Sequence, residues 1–211
     1  MSAVGLVILA AGASSRMGSP KQLLPYQGQS LIQRIVEIAV NSVCHPVVVV
    51  LGAEAKPIQP ELAAFDVQVV ENLRWSEGVS TSVRSGIEAL QMESPPIAAA
   101  VICVCDQPFV STQLINQLVQ NYRRSHPLIV ASEYAGTLGV PALFHHTLFA
   151  ELTALSGDIG ARKVIQQYAQ HTLRVSYPEA AFDIDTPTEY CRMLQVNGYE
   201  NLFRSIDAGG V

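Results

Sequence analysis

Along the chain, short and nearly unbroken apolar runs alternate with segments whose apolar residues return every three or four positions. Leu6-Val7-Ile8-Leu9 is a run of the first kind, and residues 46–51, 67–70, 98–104 and 128–130 read the same way. Such runs leave no polar face for water, so they predict strands covered on both sides. Between them, Leu31, Ile35 and Ile38 form one helical stripe, and Val79, Val83, Ile87 and Leu90 form a second. Leu114, Ile115, Leu118, Val119 and Tyr122 form a third. Ser30 with Gln33 three residues on is a capping-box pattern ahead of the first stripe. Thr186-Pro187-Thr188-Glu189 predicts a late helix with Thr as N-cap and Pro at its first position. The alternation predicts an α/β fold, a single doubly wound and mostly parallel sheet with helices on both faces. No repeat or linker divides the chain, so one domain is expected over residues 1–195. The pattern lapses over residues 196–211, which end Gly-Gly-Val and are expected to be a peripheral tail.

Composition narrows the function classes. Of 211 residues, 49% are hydrophobic and only 15% charged, against a usual charged share of about 25%. Disorder and disulfide-stapled mini-protein folds are excluded. Thirteen Lys and Arg against eighteen Asp and Glu give a net charge of −5, which argues against a nucleic-acid partner, since phosphate backbones are held by excess positive charge. Cys44, Cys103, Cys105 and Cys191 are scattered and are expected to be reduced and buried, with Cys103 and Cys105 on one side of a strand. The first residues lack a basic flank, and no apolar stretch approaches the roughly 18–20 residues of a membrane span. A cytoplasmic protein with no membrane partner is expected.

In a doubly wound sheet, ligands bind beyond the carboxyl ends of the strands. After Leu9 the chain reads Ala10-Ala11-Gly12-Ala13-Ser14-Ser15-Arg16-Met17-Gly18-Ser19-Pro20-Lys21. Small residues let backbone N–H groups approach phosphate oxygens, and Arg16 and Lys21 supply matching charge. The spacing fits neither Walker A nor the dinucleotide fingerprint. Gly78 and Ser80 open the second helical stripe, where free N–H groups and a hydroxyl either meet a nucleotide or form an ordinary first turn. Trp75 is expected to be a packing anchor rather than a stacking surface.

Asp106 follows the most apolar run, and a carboxylate there is costly to keep charged without a cation. Mg²⁺ takes one or two carboxylates plus phosphate oxygens. The competing role, N-cap of the helix beginning near Ser111, is one that Ser111 fills itself. Asp183 and Asp185, at strand spacing, either repel or hold a cation. Gly157-Asp158-Ile159-Gly160-Ala161-Arg162-Lys163 opens a helix with two cations in its first turn, a conflict with the helix dipole that an anionic ligand would relieve. No Ser or Cys has a neighbouring base pattern. His145 and His146 are expected at the surface, and His45 and His126, each before a proline, in loops.

The segment Leu9-Ala10-Ala11-Gly12-x-Ser14-x-Arg16-Met17-Gly18-x-x-Lys21 resembles the signature of the MobA-like nucleotidyltransferases, closest to their molybdenum cofactor cytidylyltransferase branch. The similarity runs over roughly residues 4–194, through Asn72, Trp75, Gly78, Ser82 and Gly86, then Cys105-Asp106-Gln107-Pro108, Gly139-Val140-Pro141, the segment from Gly157, and Asp183-Ile184-Asp185-Thr186-Pro187. Leu73 stands where the family usually has Pro. The resemblance implies a Rossmann-like nucleotidyltransferase domain over 1–195. Its implied reaction transfers CMP from CTP to the phosphate of molybdopterin or the molybdenum cofactor, with Mg²⁺ as cofactor and pyrophosphate as leaving group.

Residue by residue, the resemblance implies nucleotide binding at Leu9, Ala10, Ala11, Gly12, Arg16, Lys21, Asn72, Gly78, Ser80 and Ser82. Catalysis falls to Arg16, Lys21 and Asp106, and metal binding to Asp106 with Asp185, Asp183 standing in reserve. Pro141, Gly157, Asp158, Gly160 and Arg162 would face the acceptor. Leu-Ala-Ala-Gly goes with cytidylyl and Leu-Ala-Gly-Gly with guanylyl transfer, so Ala11 favours CTP. The rival expectations are a GTP-dependent guanylyltransferase, an enzyme for another phosphorylated acceptor, and a nucleotide-binding module without turnover. The low charged share leaves room for a homodimer or for docking to a molybdoenzyme chaperone.

Overall fold

The computed structural model describes residues 3–195, so the tail expected over 196–211 lies outside the described residues. Its strands are β1 (Val4–Ala10), β2 (Pro25–Tyr26), β3 (Gln29–Ser30), β4 (Val47–Leu51), β5 (Gln68–Glu71), β6 (Ala99–Val104), β7 (Ile129–Tyr134), β8 (Thr137–His145) and β9 (Thr172–Ser176). The helices are α1 (Leu31–Val40), α2 (Ala55–Ile58), α3 (Val79–Gln91), α4 (Thr112–Ser125), α5 (Phe149–Thr153), α6 (Arg162–Gln167) and α7 (Pro187–Gln195). Seven strands form one sheet in the order β5-β4-β1-β6-β8-β7-β9, and β2 with β3 makes a small hairpin. Within the sheet β8 alone runs against the others.

The period-2 geometry of the central strands sorts their side chains into two cores. Leu6 and Ile8 of β1 with Val101 and Cys103 of β6 pack beneath Ile35 and Val36 of α1 and Leu118 of α4. Val7, Val50 and Ile102 face the opposite way, against Val83 and Ile87 of α3, Leu152 of α5 and Ile165 of α6. This is the doubly wound arrangement the alternation predicts. Ser30 caps α1 with the reciprocal Gln33 bond of a capping box. At α7 the Glu189 carboxylate accepts from Thr186 N at 2.8 Å and the Thr186 hydroxyl accepts from Glu189 N at 3.3 Å.

Three local expectations need correction. β8 and β9 were not foreseen. Gly139 and Pro141, noted in sequence only for their family resemblance, sit within β8 at an irregularity, where the register against β7 passes from Ala131 opposite Ala142 to Ser132 opposite Gly139. Pro has no N–H to lose there, and the Ser132 hydroxyl donates to the Pro141 carbonyl at 2.7 Å. Cys44, Cys103 and Cys105 are buried as expected, whereas Cys191 is exposed. Val79, counted with a buried stripe, is 37% exposed.

The chain after β9 does the most to build the carboxyl edge of the sheet. It turns back across the strand ends, with Tyr177 N donating to the Glu133 carbonyl at 3.0 Å and Ile184 N to the Asp106 carbonyl at 2.9 Å. Ile184 is fully buried. Anchoring that one residue beside Asp106 leaves its neighbours, Asp183 and Asp185, to flank it.

Candidate active site

The loop after β1 is shaped from inside by Gln22. Its carboxamide is buried and donates to the carbonyls of Ala10 at 2.9 Å and Gly12 at 3.0 Å. The Ser14 hydroxyl accepts from Lys21 N at 3.1 Å and lies 3.3 Å from the Gln22 carboxamide oxygen. The backbone of Lys21 is thereby fixed, and its side chain reaches across the strand ends. Its ammonium donates to Asp106 Oδ2 at 2.6 Å and to Asp185 Oδ1 at 2.9 Å. Arg16 donates to the other oxygen of Asp185, Oδ2, at 2.9 Å. Four residues spread over 169 positions of sequence thus meet at one point, two cations against two carboxylates.

Burial acts against charge on Lys21, but Asp106 and Asp185 outweigh it and hold the ammonium above the usual lysine value. Burial likewise opposes ionisation of Asp185, and the bonds from Lys21 and the charge of Arg16 overcome it, so its carboxyl titrates below the ordinary range. Asp183 behaves oppositely. Desolvation by the surrounding walls, then the charge of Asp106, push its carboxyl up to about 6, against the opposing Gln107 carboxamide. Among the described residues, no group of three or more His, Cys, Asp or Glu side chains is arranged to hold a metal ion. Asp106 and Asp185 nevertheless converge on one cation already. They form a hard oxygen donor set of the size that Mg²⁺ or Mn²⁺ uses when phosphate oxygens and water complete the shell.

Two cavities meet at Asp106. The first, about 400 Å³, is lined by Leu9, Ala10, Ala11, Gly12, Ala13, Lys21 and Gln22 on one side. Trp75, Gly78, Val79, Ser82 and Asp158 line the other, above a floor of Val104, Cys105 and Asp106. The second, about 240 Å³, is lined by Tyr134, Val140, Gly160, Arg162, Asp183 and Gln107. Leu9, Val79, Val104 and Asp106 belong to both. Arg162 donates to the Thr137 hydroxyl at 2.7 Å.

Most of the residues singled out in sequence lie at these cavities, and some do not. Arg16 stands at the rim, its side chain 68% exposed, and touches the site through Asp185. Asn72 is buried behind the wall, bonding the hydroxyls of Thr81 at 2.8 Å and Ser82 at 3.0 Å. Ser80 is also buried, and its N–H donates to the Gly157 carbonyl at 3.2 Å, so that donor is already engaged. Pro141 and Gly157 do not line either cavity, and Asp158 borders the first one, not the second. Trp75 is 38% exposed and forms cavity wall, which corrects its reading as a packing anchor. Gln22, Gln107 and Tyr134 were missed.

The MobA-like NTP transferase domain matches residues 6–172. The chain belongs to this family. Over 200 residues it is 30% identical to nicotine blue oxidoreductase of Paenarthrobacter nicotinovorans, covering 89% of this chain and 95% of that protein. It is 23% identical over 193 residues to the molybdenum cofactor cytidylyltransferase of Escherichia coli, covering 90% and 95%. The solved structure of Rv0371C from Mycobacterium tuberculosis in complex with manganese superimposes with a TM-score of 0.73 at 28% identity, covering 92% of this chain and 99% of that one. The loop after β1 and the end of β6 are neighbours because β1 and β6 pair in parallel, Leu9 beside Val104.

Proposed function

We propose that this enzyme transfers a cytidylyl group from CTP to the phosphate of a molybdopterin-type acceptor and releases pyrophosphate. The observation that carries the reading is the position of Asp106, which lies on the boundary of both cavities and opposite Lys21. The first cavity takes the nucleotide. Its small residues, Ala10 to Ala13, let the triphosphate approach the backbone, and Trp75 offers an aromatic face at the wall. The second takes the acceptor, with Arg162 and Tyr134 at its polar side.

Asp106 and Asp185 hold the divalent ion, which when bound neutralises phosphate charge at the reacting centre. An oxygen of the acceptor phosphate forms a bond to the α-phosphorus. The bond from that phosphorus to the bridging oxygen breaks, and pyrophosphate leaves with the electron pair. The acceptor phosphate is ionised at neutral pH, so no side chain needs to remove a proton. Lys21 and Arg16 stabilise negative charge on the departing group. The relative named as an oxidoreductase suggests a different chemistry on the same scaffold, but two cations and two carboxylates converging at one point favour phosphoryl-type transfer.

Relatives named for cytidylyl and for guanylyl transfer both match this chain, so the test offers both donors. Mg²⁺-dependent pyrophosphate release with molybdopterin should occur with CTP and not GTP in the wild type. It should be lost in folded Asp106→Ala. Release with GTP alone would assign the guanylyl reaction, and release with a hexose phosphate in place of molybdopterin would assign another acceptor. Substantial turnover in Asp106→Ala would overturn the placing of the metal.

A further inference from the structure

The side chain assigned to the triphosphate and the carboxylates assigned to the metal are bonded to each other. Lys21 Nζ lies 2.6 Å from Asp106 Oδ2 and 2.9 Å from Asp185 Oδ1. Arg16 takes the remaining oxygen of Asp185 at 2.9 Å. The Lys21 side chain is only 14% exposed, so little water stands between these charges. A divalent ion cannot share that position with an ammonium, because like charges a few ångströms apart in a partly desolvated site repel strongly.

We propose that Lys21 is the resting occupant of the metal position, and that the ion enters only as a nucleotide draws the ammonium away. The inference rests on the reading that Asp106 and Asp185 hold the ion. Withdrawing a largely buried ammonium from two carboxylates strands its charge unless another anion receives it. A triphosphate in the first cavity is such an anion, and Lys21 itself lines that cavity. The backbone around Lys21 does not need to move. Ser14 holds its N–H and Gln22 holds the loop from below, so only the flexible four-carbon stem swings. Nucleotide and metal therefore reinforce each other's binding, and the coupling is reciprocal.

The test measures Mn²⁺ binding by titration, without and with CTP, in the full-length wild type, Lys21→Met, Asp106→Asn and the double variant. Without nucleotide, Lys21→Met should bind Mn²⁺ roughly ten- to hundredfold more tightly than wild type, the strength of hydrogen bonds to charged groups. Adding Asp106→Asn should remove that gain. Equal affinities for Lys21→Met and wild type would overturn the proposal while leaving the carboxylate reading intact, provided Asp106→Asn still weakens Mn²⁺ binding with CTP present. If Asp106→Asn leaves that binding unchanged, the carboxylate reading fails and this proposal fails with it. The wild type supplies a check that needs no variant to fold. It has three lysines, Lys21, Lys56 and Lys163, and the ¹³Cε resonance of Lys21 should hold still with millimolar Mg²⁺ alone and move with Mg²⁺ and CTP together. Movement with Mg²⁺ alone overturns the proposal.

Discussion

Replacing Gly78 by Ala tests how the nucleotide cavity is held together. Gly78 caps α3 with φ +111° and ψ 168°, a region that only glycine occupies readily, so a side chain there costs about 1–3 kcal/mol. A Cβ at Gly78 would also overlap the backbone carbon and oxygen of Gly157, and these belong to a main chain that cannot rotate aside. Overpacking of that kind adds about 1–3 kcal/mol. The sum, roughly 2–6 kcal/mol, is a large share of the about 5–15 kcal/mol that holds a domain folded. At about 2–4 °C per kcal/mol for a chain of this size, the melting temperature should fall by roughly 5–20 °C. Gly136 provides the control. It too has positive φ, +70°, but no atom lies within 4 Å of its would-be Cβ. Gly136→Ala should therefore show the backbone cost alone, about 1–2 kcal/mol. Relief of the overlap must push residues 157 and 158 away, breaking the bond from Ser80 N to the Gly157 carbonyl and withdrawing Asp158 from the cavity wall. KM for the nucleotide should rise in Gly78→Ala and not in Gly136→Ala. Equal losses of melting temperature and unchanged KM in both would refute the argument that close approach of α3 to this loop builds the cavity.

Three further outcomes follow from ionisation and exposure. The Asp183 carboxyl, at about 6 in the folded protein against about 3.9 unfolded, holds its proton more tightly when folded, so stability falls as pH rises through about 4 to 6. Asp183→Asn should match the wild-type urea midpoint near the lower limit and exceed it above the upper one; a difference that ignores pH would assign the effect elsewhere. Burial, then His146 and His126, lower the His145 value; its contribution is present above the unfolded value of about 6.5 and is lost as pH falls through the folded one. Melting temperatures at pH 7.5 and 5.5 should accordingly diverge less in His145→Gln than in wild type, and an identical difference would exclude this group. Finally, a thiol reagent on the native protein should modify Cys191 alone, because Cys44, Cys103 and Cys105 are buried and burial pushes the Cys44 thiol up to about 12; peptide mass mapping that finds Cys103 modified at the rate of Cys191 would contradict the packing.

The parts of the molecule legible in sequence are those where a local pattern and the tertiary environment agree. β1, β4 and β6 are apolar throughout because both their faces are covered, and that leaves a trace in one dimension. Asp106 was legible because a carboxylate just past the end of a buried strand is costly without a partner, and the structure brings Lys21 to it. Gln22 illustrates what fails. It carries no reading in sequence, yet it is the buried strut of the first loop. Its partners are backbone carbonyls of Ala10 and Gly12, which carry no residue-type signal. Asp158 borders the first cavity and not the second, next to the point where Gly78 is seated against Gly157, a placement that no local motif encodes.

The unforeseen strand also explains why there is a second cavity at all. In a sheet of parallel strands only, each strand would bring its carboxyl end to the active edge. β8 is reversed, so it brings its amino-terminal half there instead, and Ile102 opposite Ala142 sets Val140 close to the end of β6. The irregularity at Val140 and Pro141 interrupts the ladder with β7 at this level. Tyr134, at the end of β7, reaches the same space, its hydroxyl donating to the Val140 carbonyl at 3.1 Å. Burial and then the charge of Asp183 raise the Tyr134 phenol above its ordinary value, so it stays a neutral hydrogen-bond donor at physiological pH. The reversed strand therefore supplies a wall of backbone and aliphatic side chain where a parallel neighbour would have supplied a loop. The return of the chain after β9 closes that wall with Asp183. In the proposed reaction, a phosphorylated acceptor entering there would meet Arg162 on one side and Asp106 at the boundary with the first cavity. The direction of one strand thus sets a second cavity beside the first, and in the proposed reaction that would let two substrates meet at Asp106.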